Sequence, residues 1–354
     1  MSSAERLTPH EISSMLAGRI RDLVDRLAPG GTVIGGEWVV RNPTRHDRNP
    51  GSFRIHLVGP EKGMWFEFAS REGGDALGLV AYVLYGGDVG PAIKWAKSWL
   101  GISDATPPEQ VRAAMPPPVD DAAAEAEAAR RREWKRKLAV RLYLDAQERL
   151  AGTPAAEYLA GRGIDLAQLG RQPRALRFHP GLHNEESQAA WPALVAAIND
   201  GEGQHIATHR IWLARIDGRW KKAPLQQPKM ALGAFTGGFI SLWRGASGKP
   251  LREAPEGDAV AIAEGIETAL SVAIACPELR VLCAVASFNM GRLALPATIR
   301  RVILAADNDL DNAMVEAKLA AAVAHYQSEG RDVHVAMPPV PGADWNDILQ
   351  GVEG

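Results

Sequence analysis

The stretch "DAVAIAEGIETALSVAIAC" (258–276) decides how the last third of the chain is built. Its first six residues form a short apolar run, the mark of a buried strand. Glu264 and Gly265 follow, then an amphipathic helical pattern with a second carboxylate, Glu267. The alternation continues downstream. "RVLCAVAS" (280–287) and "RRVILAADND" (300–309) read as strands, "DNAMVEAKLAAAVAHYQSEG" (311–330) as a helix and "DVHVAMPP" (332–339) as a strand. Strands separated by helices predict a parallel α/β sheet, in which ligands bind beyond the carboxyl ends of the strands.

Acids stand at those ends. Glu264 closes the first strand, Asp307 and Asp309 close "VILAADND", and Asp344 and Asp347 in "GADWNDIL" follow the last. Carboxylates gathered at one edge repel each other unless a cation neutralises them, and an all-oxygen set suits Mg²⁺ or Mn²⁺. A metal so held beside phosphates serves phosphoryl transfer. Taken singly, Glu267, Asp311 and Asp344 are also compatible with helix caps or first-turn acids; the pattern as a whole carries the metal reading.

A strand ending in Glu-Gly, a strand ending in Asp-x-Asp and a later Asp-x-x-Asp resemble the Toprim domain of DnaG-type primases, topoisomerases and several nucleases. The resemblance covers about 256–354. It implies Glu264 as a catalytic or metal-positioning acid and Asp307 and Asp309 as metal ligands, with Glu267, Asp344 and Asp347 as supporting acids. One departure is Asn312, where a glycine often follows the Asp-x-Asp turn; Asn tolerates left-handed backbone.

Upstream, "THRIWLARIDGRWKKAPLQQPKMALG" (208–233) carries Arg210, Arg215, Lys221, Lys222 and Lys229. It resembles the primase segment that lines the template and nucleotide path, and the resemblance implies that these cations face phosphates, Lys229 and Arg210 above all. Cations beside a metal site suit a polyphosphate and a nucleic-acid strand. His179 and His183 flank Pro180 and Gly181, which break a helix, and read as loop histidines.

The N-terminal part departs most. "NPTRHDRNPGSFRIHL" (42–57) and "MWFEFASREGGDALGLVAYVL" (64–84) resemble the primase zinc ribbon, with Pro43, Pro50, Ser52, Phe53, Gly73, Gly74 and Asp75 in place. The positions of the zinc ligands hold Asn42, Arg45, Glu67 and Ser70, none of which supplies a thiolate. No zinc is expected. Trp38, Phe53, Trp65, Phe66 and Phe68 are expected to hold the domain together instead, and Arg41, Arg45, Arg48 and Arg54 make its first hairpin basic.

The expected organisation is α/β and α+β multidomain. A zinc-ribbon-like domain (1–105) leads through a Pro-rich linker (106–121) and a helix (122–150), with Trp134, Leu138 and Leu142 as its apolar stripe. A basic α+β subdomain (151–255), with "GGFISLW" (237–243) among its strands, precedes a parallel-sheet, Rossmann-like Toprim domain (256–354). The 354 residues are 46% hydrophobic and 23% charged with net charge −2, an ordinary globular composition in which any basic surface is local. The two cysteines, Cys276 and Cys283, read as core residues of a reduced protein. No signal peptide or membrane span is visible, which predicts a cytoplasmic protein.

The expected function is metal-dependent, template-directed primer synthesis, with single-stranded DNA and nucleoside triphosphates as partners; a replicative helicase is either a separate partner or absent. No P-loop occurs. The rivals are a Toprim nuclease and a non-catalytic DNA-binding module; a topoisomerase is disfavoured by length and by the contexts of the five tyrosines.

Overall fold

Thr8 opens the first helix with a capping box: its hydroxyl accepts the Glu11 N–H at 3.2 Å, and Glu11 accepts the Thr8 N–H at 2.7 Å. The computed structural model describes residues 7–45, 52–67, 72–103, 107–113, 122–308 and 313–351. The chain divides into two units, Met1–Arg131 and Arg132–Gly354. In the first, α1 (Pro9–Gly18) and α2 (Ile20–Leu27) precede a meander of β1 (Thr32–Ile34), β2 (Glu37–Val40), β3 (Phe53–His56), β4 (Trp65–Glu67) and β5 (Glu72–Gly74), antiparallel and paired in chain order. Asp75 caps α3 (Ala76–Tyr85) through the Gly78 N–H at 2.8 Å; α4 (Val89–Trp99) and the short α5 (Pro108–Ala113) follow. Phe53 and Trp65 are buried and their rings stack with Tyr82 at centroid distances of 4.6 to 5.7 Å. Trp38 and Phe66 are only half-buried, and Phe68 lies outside the described residues.

Helix α6 (Ala122–Asp145) crosses the boundary between the units. Its buried positions are Ala128, Ala139 and Tyr143, with Ala146 just beyond. The expected stripe is therefore displaced around the helix, and Trp134 is 59% exposed. The cause is visible in the polar contacts. Thr208 donates to the Ala139 carbonyl at 2.8 Å, and Tyr143 donates to the Arg174 carbonyl at 2.6 Å. Arg177 donates to the carbonyls of Tyr143, Leu144 and Ala146, each at 3.3 Å, which supplies a cation to the helix C-terminus.

After α7 (Pro154–Gly161), β6 (Leu176–Asn184), β7 (Ala189–Asn199), β8 (His205–Ile216), β9 (Arg219–Lys222) and β10 (Lys229–Leu232) form an antiparallel sheet ordered β10-β8-β7-β6, with β9 also on β8. His179 and His183 sit on β6, not in a loop; the irregularity between His179 and Leu182 absorbs Pro180 and Gly181. Asp217 and Gly218 both take left-handed backbone, φ 51° and 75°, and close β8 onto β9 as a tight two-residue turn.

The second sheet is ordered β11-β13-β12-β14-β15: β11 (Ile240–Arg244), β12 (Asp258–Ala263), β13 (Arg280–Cys283), β14 (Ile299–Ala305) and β15 (Asp332–Ala336). Only β11 runs antiparallel. Helices α8 (Ile266–Ala275), α9 (Ala313–Ser328) and α10 (Trp345–Leu349) complete it. The segment expected as a strand of the preceding subdomain, "GGFISLW", thus belongs to the last sheet: Ile240 pairs with Cys283. One apolar core joins both sheets through α7 and α8, taking in Leu194, Ile211, Leu213, Tyr158, Leu270, Ala263 and Ala305. Asn199 and Phe239 exchange two backbone hydrogen bonds of 2.9 Å and link the sheets directly. Among the described residues no single helix is long and apolar enough to cross a membrane.

Candidate functional site

Strands β12 and β14 are parallel neighbours in which Ala263 is the register partner of Ala305. Glu264 follows one and Asp307 comes two residues after the other, so both acids leave the sheet at one edge, from chains about 4.8 Å apart. Both are half-buried. The Glu264 carbonyl accepts the Cys283 thiol at 3.1 Å, and Ala284 donates to the Ala263 carbonyl at 2.8 Å. Asp307 is framed by Ala306, which donates to the Ala336 carbonyl at 3.0 Å, and by Asn308, which donates to Ala343 at 3.0 Å and to Pro338 at 2.9 Å. These contacts fix backbone, so neither acid hangs on a free loop.

Asp309, Asp311 and Asn312 lie outside the described residues. Among the described residues no three His, Cys, Asp or Glu side chains gather as a metal-holding group. The donor chemistry at the edge nevertheless fits a hard cation. Glu264 and Asp307 offer oxygen alone, and Mg²⁺ is held by one or two carboxylates with water and substrate phosphates completing its shell. Cys283 stays out of such a set: burial raises its thiol pKa strongly, with Glu267 and Glu264 adding to the effect.

Glu267, expected beside the metal, has other partners. It is 4% exposed, accepts the Tyr158 hydroxyl and lies 2.7 Å from Lys222 Nζ. Burial works to raise its pKa, but the Lys222 charge and the hydrogen bonds from Lys222, Tyr158 and its own backbone N–H outweigh burial and hold it at about 2. A buried carboxylate already neutralised by a lysine offers no uncompensated charge to a divalent ion. Asp344 is likewise engaged. It caps α10, accepting from the N–H groups of Asn346 and Asp347 at 2.7 and 2.9 Å, and Asp347 accepts the Asp344 N–H at 3.1 Å. Arg162 stands 3.8 Å from both carboxylates. Buried Asn346 ties this cap to the Arg162 carbonyl and to Ser271 of α8.

The expected cations separate by face. Strands β9 and β10 lie end to end along the same edge of β8, since Trp212 accepts from Ala223 at 2.8 Å and donates to Pro228 at 2.9 Å. Lys222 is opposite Leu213 and Lys229 opposite Ile211. These partners are two residues apart, so the lysines share a face and lie about 7 Å apart along the edge. Leu213 and Ile211 pack toward α7 and α8, so this is the face that meets the second sheet. Arg210 is on the other face. Its guanidinium lies 4.9 Å from the Trp212 ring centroid, on the side of Tyr143, and burial lowers its pKa to about 10. Arg210 and Lys229 therefore lie on opposite faces of the sheet, divided by a single-residue offset in register. Lys221 is exposed beside Asp217 at 3.7 Å, and Arg215 donates to the Gly218 carbonyl at 3.2 Å at the tip of the hairpin.

In the N-terminal unit, three of the four positions aligned with zinc ligands do come together. Buried Asn42 donates to Glu67 at 2.6 Å and to the Tyr82 hydroxyl at 2.7 Å, and Arg45 lies 3.1 Å from the other Glu67 oxygen. Glu67 is 0% exposed. Thr44 joins through Asn42 at 2.9 Å. An amide, a guanidinium and one carboxylate do not fit zinc, which takes thiolate and imidazole donors. Ser70, Arg48 and Pro50 lie outside the described residues.

Tyr158 was not among the expected residues. Its signal is a phenol on the apolar face of α7 with Ala155 and Leu159, where a buried hydroxyl needs a partner. Lys222 had a stronger one: Asp217-Gly218 is a two-residue hairpin signal that sets Lys222 opposite Leu213.

Residues 259–352 match the Toprim domain family, and residues 133–242 match a "Domain of unknown function (DUF7146)". The C-terminal sheet is thus a Toprim domain. No curated protein is significantly similar to the chain. Among solved structures, a DNA primase domain from Pseudomonas aeruginosa is 15% identical with a TM-score of 0.39, covering 62% of this chain and 75% of that one. A DnaG primase catalytic domain bound to single-stranded DNA is 16% identical with a TM-score of 0.41, covering 64% and 79%. The primase fragment of the bacteriophage T7 primase-helicase protein is 15% identical with a TM-score of 0.34, covering 55% and 69%.

Proposed function

We propose that the chain is a DNA primase: a metal-dependent enzyme that joins nucleotides into short primers along single-stranded DNA. The observation that carries this reading is the pairing of Glu264 and Asp307 at the carboxyl edge of the Toprim sheet, opposite a sheet face bearing Lys222 and Lys229. Lys222 reaches Glu267, three residues after Glu264, and Lys229 shares its face, so acids and cations together suit a metal-bound polyphosphate.

Asp307, with Asp309, would hold Mg²⁺ or Mn²⁺, and Glu264 would hold it or stand beside it. When bound, the metal supplies charge neutralisation for the phosphates. The chain's own residues do the rest. Lys222 and Lys229 bind the β- and γ-phosphates of the incoming nucleotide. The Glu264 carboxylate accepts the proton of the attacking 3′-hydroxyl. A bond forms from that oxygen to the α-phosphorus, the bond to the β-phosphate bridge breaks, and pyrophosphate leaves. Partners in this reading are single-stranded DNA, nucleoside triphosphates and a separate replicative helicase, and the setting is the cytoplasm.

The test is incubation of the protein with single-stranded DNA, labelled nucleoside triphosphates and Mg²⁺ or Mn²⁺, with Asp307→Asn alongside. New oligonucleotides from the wild type alone support the reading. Template shortening without synthesis would make water the nucleophile and the chain a nuclease. DNA binding with neither product would leave a binding module.

A further inference from the structure

Glu267 joins three elements that are distant in sequence. It stands on the first turn of α8, accepts a hydrogen bond from Tyr158 of α7, and is paired with Lys222 of β9. Both donors address the same oxygen, Oε1. The other oxygen lies beneath the strand-to-helix turn: a Cβ placed on Gly265 would be 3.6 Å from Glu267 Oε2. The pair is thus directly under the residue that follows Glu264.

Lys222 is one-third exposed where Glu267 is closed to solvent, at 33% against 6% for the side chains. The ammonium meets the carboxylate at 2.7 Å while a third of the lysine side chain stays in reach of solvent. A buried ion pair adds little stability over an apolar pair of the same volume, so burial of this pair calls for a role beyond stability. A free lysine loses rotamer entropy when it is immobilised on a ligand. A lysine already held by a rigid carboxylate has met that cost on folding.

We propose that Tyr158 and Glu267 are positioning residues that hold the Lys222 ammonium at the acid edge as a ready-made contact for the polyphosphate of a nucleoside triphosphate. This rests on the proposed function. Tyr158 fixes the carboxylate, the carboxylate fixes the lysine, and Lys229 on the same face provides the second cation. The low pKa of Glu267 keeps the pair ionised through the range in which nucleotides are polyanions.

The experiment compares the wild type with the double variant Lys222→Met/Glu267→Gln, which removes both charges together and leaves neither without its counter-ion. Binding of a non-hydrolysable nucleoside triphosphate with Mg²⁺ is measured by calorimetry, Mn²⁺ binding by electron paramagnetic resonance, and folding by circular dichroism. The double variant is expected to fold and bind Mn²⁺ as the wild type does, with triphosphate Kd raised about tenfold, the worth of one charge-assisted contact. Equal triphosphate binding would overturn the inference and leave a structural latch. If the double variant does not fold, Tyr158→Phe decides: a severalfold rise in Kd with unchanged Mn²⁺ binding supports positioning, and unchanged Kd overturns it. A wild type that binds Mn²⁺ but no triphosphate would overturn the proposed function as well, an outcome read without any variant.

Discussion

Ala263 and Ala305 are register partners in adjacent parallel strands, and this one pairing sets Glu264 and Asp307 side by side. Neither alanine carries chemistry. Both are buried in the core that α8 shares with the sheet. Asp307→Asn keeps the shape and removes the charge. Metal-dependent synthesis is expected to fall roughly a thousandfold, with an unchanged circular dichroism spectrum. Synthesis at the wild-type rate would remove Asp307 from the metal site.

Glu267 is held at about 2 against an ordinary 4.5. A depressed acid contributes stability above the unfolded value, and that contribution disappears as pH falls from about 4.5 through about 2. The difference corresponds to about 3 kcal/mol at neutral pH. Urea unfolding between about pH 6 and pH 2 is expected to show the wild type losing about that much more stability than Lys222→Met/Glu267→Gln. Parallel loss in the two proteins would show that the pair is not ionised.

Asp344 serves α10 as a cap, and asparagine caps as well as aspartate. Asp344→Asn is expected to leave stability and Mn²⁺ affinity unchanged, while Asp344→Ala loses about 1 kcal/mol. A hundredfold loss of synthesis in Asp344→Asn would put this carboxylate on the metal.

Arg210 and Lys229 face opposite ways and should fail differently. Lys229→Met is expected to raise triphosphate Kd about tenfold at unchanged stability. Arg210→Met removes the contact with Trp212 and is expected to change the melting temperature with little effect on Kd. Matching Kd losses would place both side chains in one site.

In the N-terminal unit, Glu67→Ala strips the network of its buried acceptor. A loss of roughly 2 kcal/mol is expected, whereas chelator has no effect on the melting temperature. Stoichiometric zinc in the purified protein would contradict this.

Much of the acid edge is legible in the sequence, because an apolar run that stops at Glu264 or Asp307 can only expose its acid at the strand end. The α8 helix and its turn are legible for the same reason. The partners of Glu267 are not, since residues 158, 222 and 267 meet only through tertiary packing. Sidedness of Lys229 also escapes, because the connection from 223 to 228 leaves its parity open until β10 pairs with β8. The strand at 240–244 looks like a continuation of its predecessors, and only pairing with β13 assigns it to the Toprim sheet. At residues 42, 45 and 67 the missing ligands are plain in the sequence, but the cross-link that takes their place is visible only once Tyr82 comes alongside.

That cross-link alters the kinetics of making the N-terminal unit. A ribbon tied by zinc completes its fold in a second-order step, at a rate proportional to available metal, and comes undone when thiols oxidise. Here Asn42, Arg45, Glu67 and Tyr82 arrive on one chain, so closure is expected to be first-order, with one refolding rate whether zinc or a chelator is present.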